Sequence, residues 1–172
     1  VVKADGYGHG ALKIAEAIED LPYLWGYAVA TAEEAEELRE HGCQKPMLIL
    51  GISFPHQYPK IIEEEIRAAV CEYDMAKALS DLAVKMNKTC YIHIAVDTGM
   101  SRIGFQVSKE NANIIAQIAA LPNICIEGIF TQFAQAHELD KEPTHEQIAR
   151  FKKMIALTEA AGVTIPLHHC SN

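Results

Sequence analysis

The chain is predicted to be an α/β protein organised on a parallel sheet, with a (β/α)8 barrel of the TIM type as the best-fitting architecture and an open doubly wound sheet as the alternative. Three observations predict this. Short apolar runs alternate with longer amphipathic ones from end to end, the order expected of repeated βα units. The runs Met47-Leu48-Ile49-Leu50 and Ile92-His93-Ile94-Ala95-Val96 are near-continuous rather than alternating, as in strands covered on both faces. Strand starts recur at intervals of about one βα unit without any sequence repeat, so the period is structural. A barrel would gather the C-terminal strand ends around one ligand.

Taken in order, the predicted strands are Val1 to Ala4, Leu24 to Ala30, Pro46 to Gly51, Arg67 to Glu72, Cys90 to Asp97, Ile124 to Thr131 and Ile165 to Cys170. The helices between them announce their starts. Thr31 with Glu34 three residues on is a capping box, Asp74 and Ser108 are N-cap candidates, and Pro55 and Pro143 suit first-turn positions. His41-Gly42 and Ala161-Gly162 read as helix ends with their glycine caps. In the last helix Ile148, Phe151, Ile155 and Thr158 recur at spacings of three and four, a stripe to face the sheet.

Composition narrows the function. Of 172 residues 49% are hydrophobic and 22% charged, ordinary for a domain with a sizeable core. A net charge of -8 argues against a general nucleic-acid surface, which needs clustered Lys and Arg. No apolar run approaches the roughly 18 residues of a membrane span, and no basic-then-apolar leader opens the chain. Cys43, Cys71, Cys90, Cys125 and Cys170 show no C-x-x-C spacing and lie mostly in apolar runs, so buried free thiols are expected.

The densest chemistry is in the first ten residues. Lys3 ends a short apolar run and is followed at once by a turn carrying Gly6, Gly8 and Gly10. A strand ending at Lys3 would deliver an amine to the mouth of the sheet, and the glycines would let backbone N–H groups approach a phosphate before the next helix. Lysine and phosphate together point to pyridoxal phosphate, whose aldehyde forms a Schiff base with a lysine amine. The spacing is neither the dinucleotide G-x-G-x-x-G nor a P-loop. His9 reads as structural, capping or packing the next helix. Arg102 follows the strand ending at Asp97, in a loop containing Gly99, where its planar fork would meet a carboxylate or a phenolate oxygen. Asp97 itself is expected to hold that loop by local hydrogen bonds. His168 and His169 are adjacent on a strand and so point to opposite faces, which argues against a shared metal ion; His169 is placed as a supporting group at the barrel mouth.

Val1-Val2-Lys3-Ala4-Asp5-Gly6-Tyr7-Gly8-His9-Gly10 closely resembles the cofactor-lysine signature of bacterial alanine racemases, and Val96-Asp97-Thr98-Gly99-Met100-Ser101-Arg102-Ile103-Gly104-Phe105 resembles that family's second hallmark. A weaker match is Gly128-Ile129-Phe130-Thr131-Gln132-Phe133-Ala134, and Ser171-Asn172 falls where the family has a cofactor-contacting asparagine. The resemblance decides for the barrel, truncated here after about its seventh strand. It implies that residues 1–172 are an incomplete pyridoxal-phosphate-binding domain, with the eighth strand and a C-terminal β domain lying outside and the isolated stretch inactive. It further implies a cytoplasmic homodimer that interconverts L- and D-alanine for peptidoglycan. Lys3 would be cofactor lysine and one proton-transferring base, Tyr7 and Asn172 cofactor contacts, and Arg102 a contact to the cofactor oxygen and the substrate carboxylate. The second base would be a tyrosine from the partner's C-terminal domain. A serine racemase of the same family and a non-enzymatic pyridoxal-phosphate-binding barrel are the alternatives; the Asp-Thr-Gly-Met-x-Arg loop disfavours the latter. Two positions depart from the family pattern. Gln132 stands where racemases usually carry a histidine, and Ala95 where many carry a carbamylated lysine that holds the arginine. Arg102 is therefore expected to need a counter-charge from a bound anion or another carboxylate.

Overall fold

The computed structural model describes every residue from Val1 to Asn172. Strands β1 (Tyr27–Val29), β2 (Met47–Ile49), β3 (Arg67–Val70), β4 (Cys90–Asp97), β6 (Ile124–Gln132) and β7 (Leu167–Ser171) pair side by side in that order, all parallel; β5 (Phe105–Gln106) pairs only with the end of β4. Helices α2 (Ala11–Ile18), α3 (Ala32–Glu40), α4 (Tyr58–Glu63), α5 (Tyr73–Met86), α6 (Lys109–Ala119) and α7 (Glu142–Ala160) intervene, preceded by a one-turn element α1 (Lys3–Tyr7). The product is a parallel-strand half-barrel with β1 and β7 as its open edges, the truncated barrel that the sequence predicts.

The core follows from strand parity. Val29, Ile49, Val70, Ile92, Ile94 and Ile129 alternate onto the outer face and enter one 32-residue apolar cluster with Leu38, Leu79, Ile115 and Met154 from the helices. The other residues of the same strands face inward, where the buried apolar cluster is only Ala69, Ala95 and Phe130. One irregularity changes what the inner face carries. Ile92 pairs with Ile126 but His93 pairs with Gly128, so Glu127 is an extra residue in β6, a β-bulge that turns its carboxylate inward. Glycine is required next to it, since a Cβ at Gly128 would lie 2.4 Å from the His93 ring.

Several expectations are corrected. The strand predicted at Val1 to Ala4 does not form: Val2 donates one ladder bond to the Ala28 carbonyl (2.9 Å), but Ala4 and Asp5 turn left-handed (φ 51° and 52°), which ends any extended run. Thr31 and Ser108 cap as predicted, accepting from Glu34 and Asn111 N–H groups. Asp74 instead lies inside the first turn of α5, whose N-cap is Glu72, and the proline opening α4 is Pro59 rather than Pro55. On α7 the most buried positions are Thr144, Gln147, Phe151, Met154 and Thr158, so the face is rotated from the predicted stripe. A polar tie causes this, because Gln147 holds two loops of the site. Of the cysteines only Cys43 and Cys90 are buried; Cys71 and Cys125 are half-buried, and Cys170 is exposed because it lies on edge strand β7.

Candidate active site

Lys3, Tyr7, Gln132, His169, Ser171 and Asn172 line one cavity of about 120 Å³ at the C-terminal ends of the strands. Three of the four predicted site residues thus share a cavity, and Gln132 connects it to the fourth. Gln132 also lines the adjoining pocket beside Arg102. There Arg102 donates through Nη2 to the Gln132 amide oxygen. Within this chain the guanidinium therefore meets a neutral amide where a counter-charge was expected. A larger cavity of about 340 Å³, bounded by Trp25, His93 and Leu167 between the edges β1 and β7, lies at the other end of the strands and holds no lysine.

The glycine-rich turn is built differently from expectation. Four of its N–H groups donate within the turn: Gly6 to Val2 (2.7 Å), Gly8 to Ala4 (3.1 Å), His9 to Gly6 (3.2 Å) and Gly10 to Asp5 (2.9 Å). The N–H of Ala11 goes to Asp5 Oδ1 at 2.7 Å. The glycine N–H groups are thus engaged by the turn itself, and the glycines serve a backbone role: φ is 61° at Gly6, 84° at Gly8 and 91° at Gly10. Ala4, Asp5 and Tyr7 share that left-handed sense, which costs an L-residue on the order of 1 kcal/mol each. This places the Lys3 amine 5.8 Å from the centre of the Tyr7 ring, with Tyr7 exposed. His9 is structural, its Nδ1 lying 3.1 Å from the Gly6 carbonyl oxygen.

The Arg102 loop is held by Asp97, which accepts from the N–H groups of Gly99 (3.0 Å) and Ser101 (2.9 Å) and from Gln106. Burial alone would raise the Asp97 carboxyl, but these donors outweigh it and hold the group below the usual carboxylate range. From α7, Gln147 donates to Thr98 Oγ1 (3.1 Å) and to the Gln132 carbonyl (3.2 Å) and accepts from Ala134 N–H (2.9 Å). Sequence reasoning passes over Gln147, because a glutamine on an amphipathic helix carries no signal of its own.

Beneath the lysine cavity the inner face is polar. Arg67 grips Glu127 with two hydrogen bonds (2.8 and 3.1 Å) and lies 4.7 Å from the centre of the Tyr91 ring. His93 Nε2 approaches Glu127 at 3.4 Å and its Nδ1 meets His169 Nε2 at 2.9 Å. His169 in turn stacks on Phe130 and reaches the cavity. Burial, with the neighbouring His169, pushes His93 down to about 4. Burial likewise lowers His169. Glu127 is held below its ordinary value: its own burial opposes ionisation, and Arg67 outweighs it. His168 points the other way, lining a small pocket with Ile155 and Thr158 of α7.

All 172 residues match the family model described as alanine racemase, N-terminal domain. The alanine racemase of Clostridium perfringens strain SM101 is 42% identical over 172 residues, which is all of this chain and 44% of the relative. Among solved structures, the alanine racemase of Clostridium difficile 630 superposes with a TM-score of 0.96 at 36% identity, covering 99% of this chain and 47% of that one. The histidine racemase of Leuconostoc mesenteroides subsp. sake gives 0.88 at 25% identity, over 98% of this chain and 44% of that one. The chain thus spans less than half the length of the relatives it matches.

Proposed function

The chain belongs to the alanine racemase family, matching its N-terminal domain throughout, and from that premise we propose that it is the cofactor-bearing barrel region of a pyridoxal-phosphate-dependent amino-acid racemase acting on alanine. The observation that carries the reading is the convergence of Lys3, Tyr7 and Asn172 on one cavity joined to Arg102 through Gln132. The donor set fits the cofactor: a primary amine for its aldehyde, a phenol and a carboxamide for its phosphate, and a guanidinium for its ring oxygen or a substrate carboxylate. When bound, the cofactor supplies an electron sink that acidifies the substrate Cα–H. Lys3 would hold it through its amine, and the same amine would serve as the base that exchanges the substrate Cα proton on one face. Arg102 orients the substrate carboxylate. Tyr7 and Asn172 would hold the phosphate.

Racemisation needs a second base on the opposite face of Cα. In this reading a tyrosine of the partner subunit's C-terminal domain provides it in a cytoplasmic homodimer, and the product feeds peptidoglycan synthesis. No helix here is long and apolar enough to cross a membrane. The full-length protein should convert L-alanine to D-alanine, read by chiral chromatography, and borohydride should fix the cofactor on Lys3. Parallel incubations with L-serine and L-histidine test the substrate, the latter because of the likeness to the Leuconostoc enzyme. Cofactor binding without D-product from any of the three would identify a binding protein instead.

A further inference from the structure

We propose that Glu34 is the positioning residue for Lys3, acting as a two-pronged acceptor that holds the strained turn beside the lysine against the end of β1. The proposal rests on Lys3 being the cofactor lysine. Glu34 sits at the third position of α3, where a capping-box carboxylate would ordinarily return to the N-cap backbone. Here it goes elsewhere. Oε1 accepts from the N–H of Ala4 at 2.8 Å and Oε2 from the N–H of Ala30 at 2.7 Å, while the Glu34 N–H donates to Thr31. Ala30 immediately follows β1, and Val2 is tied to β1 through Ala28 (2.9 Å). Lys3 is therefore suspended between two anchored neighbours, Val2 on one side and Ala4 on the other.

Ala4 is where an anchor is needed. It is an L-residue in left-handed backbone (φ 51°, ψ 51°) with no hydrogen-bonded partner strand, and such a conformation persists only where its surroundings impose it. A carboxylate suits the task, because each of its oxygens accepts from a different backbone donor. A carboxamide of the same shape has one acceptor and would turn an NH₂ group toward one of the two N–H groups. If Ala4 relaxed toward an ordinary φ, the Lys3 amine would move off the cavity it now lines.

The test uses the full-length protein, stripped of cofactor and titrated with pyridoxal phosphate by absorbance. Glu34→Gln should weaken binding about tenfold, the loss expected of one charge-assisted bond. Glu33→Gln, next door on α3, should bind as wild type. Adding Ala4→Gly to Glu34→Gln should recover most of the lost affinity, because glycine adopts the left-handed turn unaided; a role in capping α3 alone would not be rescued there. Wild-type affinity in Glu34→Gln overturns the proposal, and so does a folding or binding defect that Ala4→Gly leaves unrepaired. Borohydride labelling of a lysine other than Lys3 in the wild type would instead overturn the assignment of Lys3.

Discussion

On the outer face of the sheet, Ile92, Ile94 and Ile129 vanish into a continuous apolar layer against the helices; on the inner face the same two strands present His93 and Glu127 to a polar cluster with Arg67 and His169. The outer layer is interchangeable in kind, because any well-packed hydrophobe of similar volume serves it. Inner groups answer to named partners. A buried ion pair adds little net stability over a hydrophobic pair, yet removing one member leaves the other stranded. The half-barrel is thus held from outside and made specific from inside.

The contrast can be broken from either side. Ile94→Ala, at a position with 0% exposure, should cost roughly 2–5 kcal/mol in urea unfolding and leave the inner cluster intact. Glu127→Ala should cost about 3 kcal/mol, because Arg67 and His93 lose their shared acceptor. The double substitution Arg67→Met with Glu127→Leu should recover most of that, as no charge then remains unpaired. If the double variant is as unstable as Glu127→Ala, the inner face is held by the ion pair itself and the contrast fails.

A smaller effect separates the faces by pH. His93 is neutral when folded, its value lowered to about 4, whereas the unfolded imidazole titrates near its ordinary 6.5. Between those values the unfolded chain binds the extra proton. Stability from this group is therefore complete above pH 6.5 and is lost as pH falls toward 4. The urea midpoint should decline across that window, and His93→Gln should flatten the decline; Ile94→Ala should shift the whole curve without changing its slope. Least of all, Lys77→Ala, which removes an exposed pair with Asp81 on α5, should change stability by no more than about 0.5 kcal/mol.

The outer layer was the legible part. Apolar runs bounded by turn residues located β4 and β6 nearly to the residue, because their outward positions, Ile92, Ile94, Ile126 and Ile129 among them, are apolar and pack on the helices. The first strand misled, since Val1-Val2 is apolar but its continuation depends on φ at Ala4, which nothing in alanine announces. Lys3, Tyr7, Arg102 and Asn172 were nameable by resemblance, and the structure groups them as described. Glu34 was seen only as a cap, because its second partner is 30 residues away and no local pattern encodes that bond. The Arg67–Glu127 pair, 60 residues apart, was missed for the same reason.

The bulge in β6 has a counterpart in protein engineering. Deleting Glu127 would restore unbroken in-out alternation from Ile124 to Gln132, with Ile126 and Ile129 still facing the helices and Gly128 still opposite His93. The backbone ladder has no use for this residue. A shortened β6 should pair as well as the native one yet leave Arg67 without its carboxylate, so a deletion and a substitution at Glu127 should cost alike: the residue is dispensable to the ladder and indispensable to what the ladder encloses.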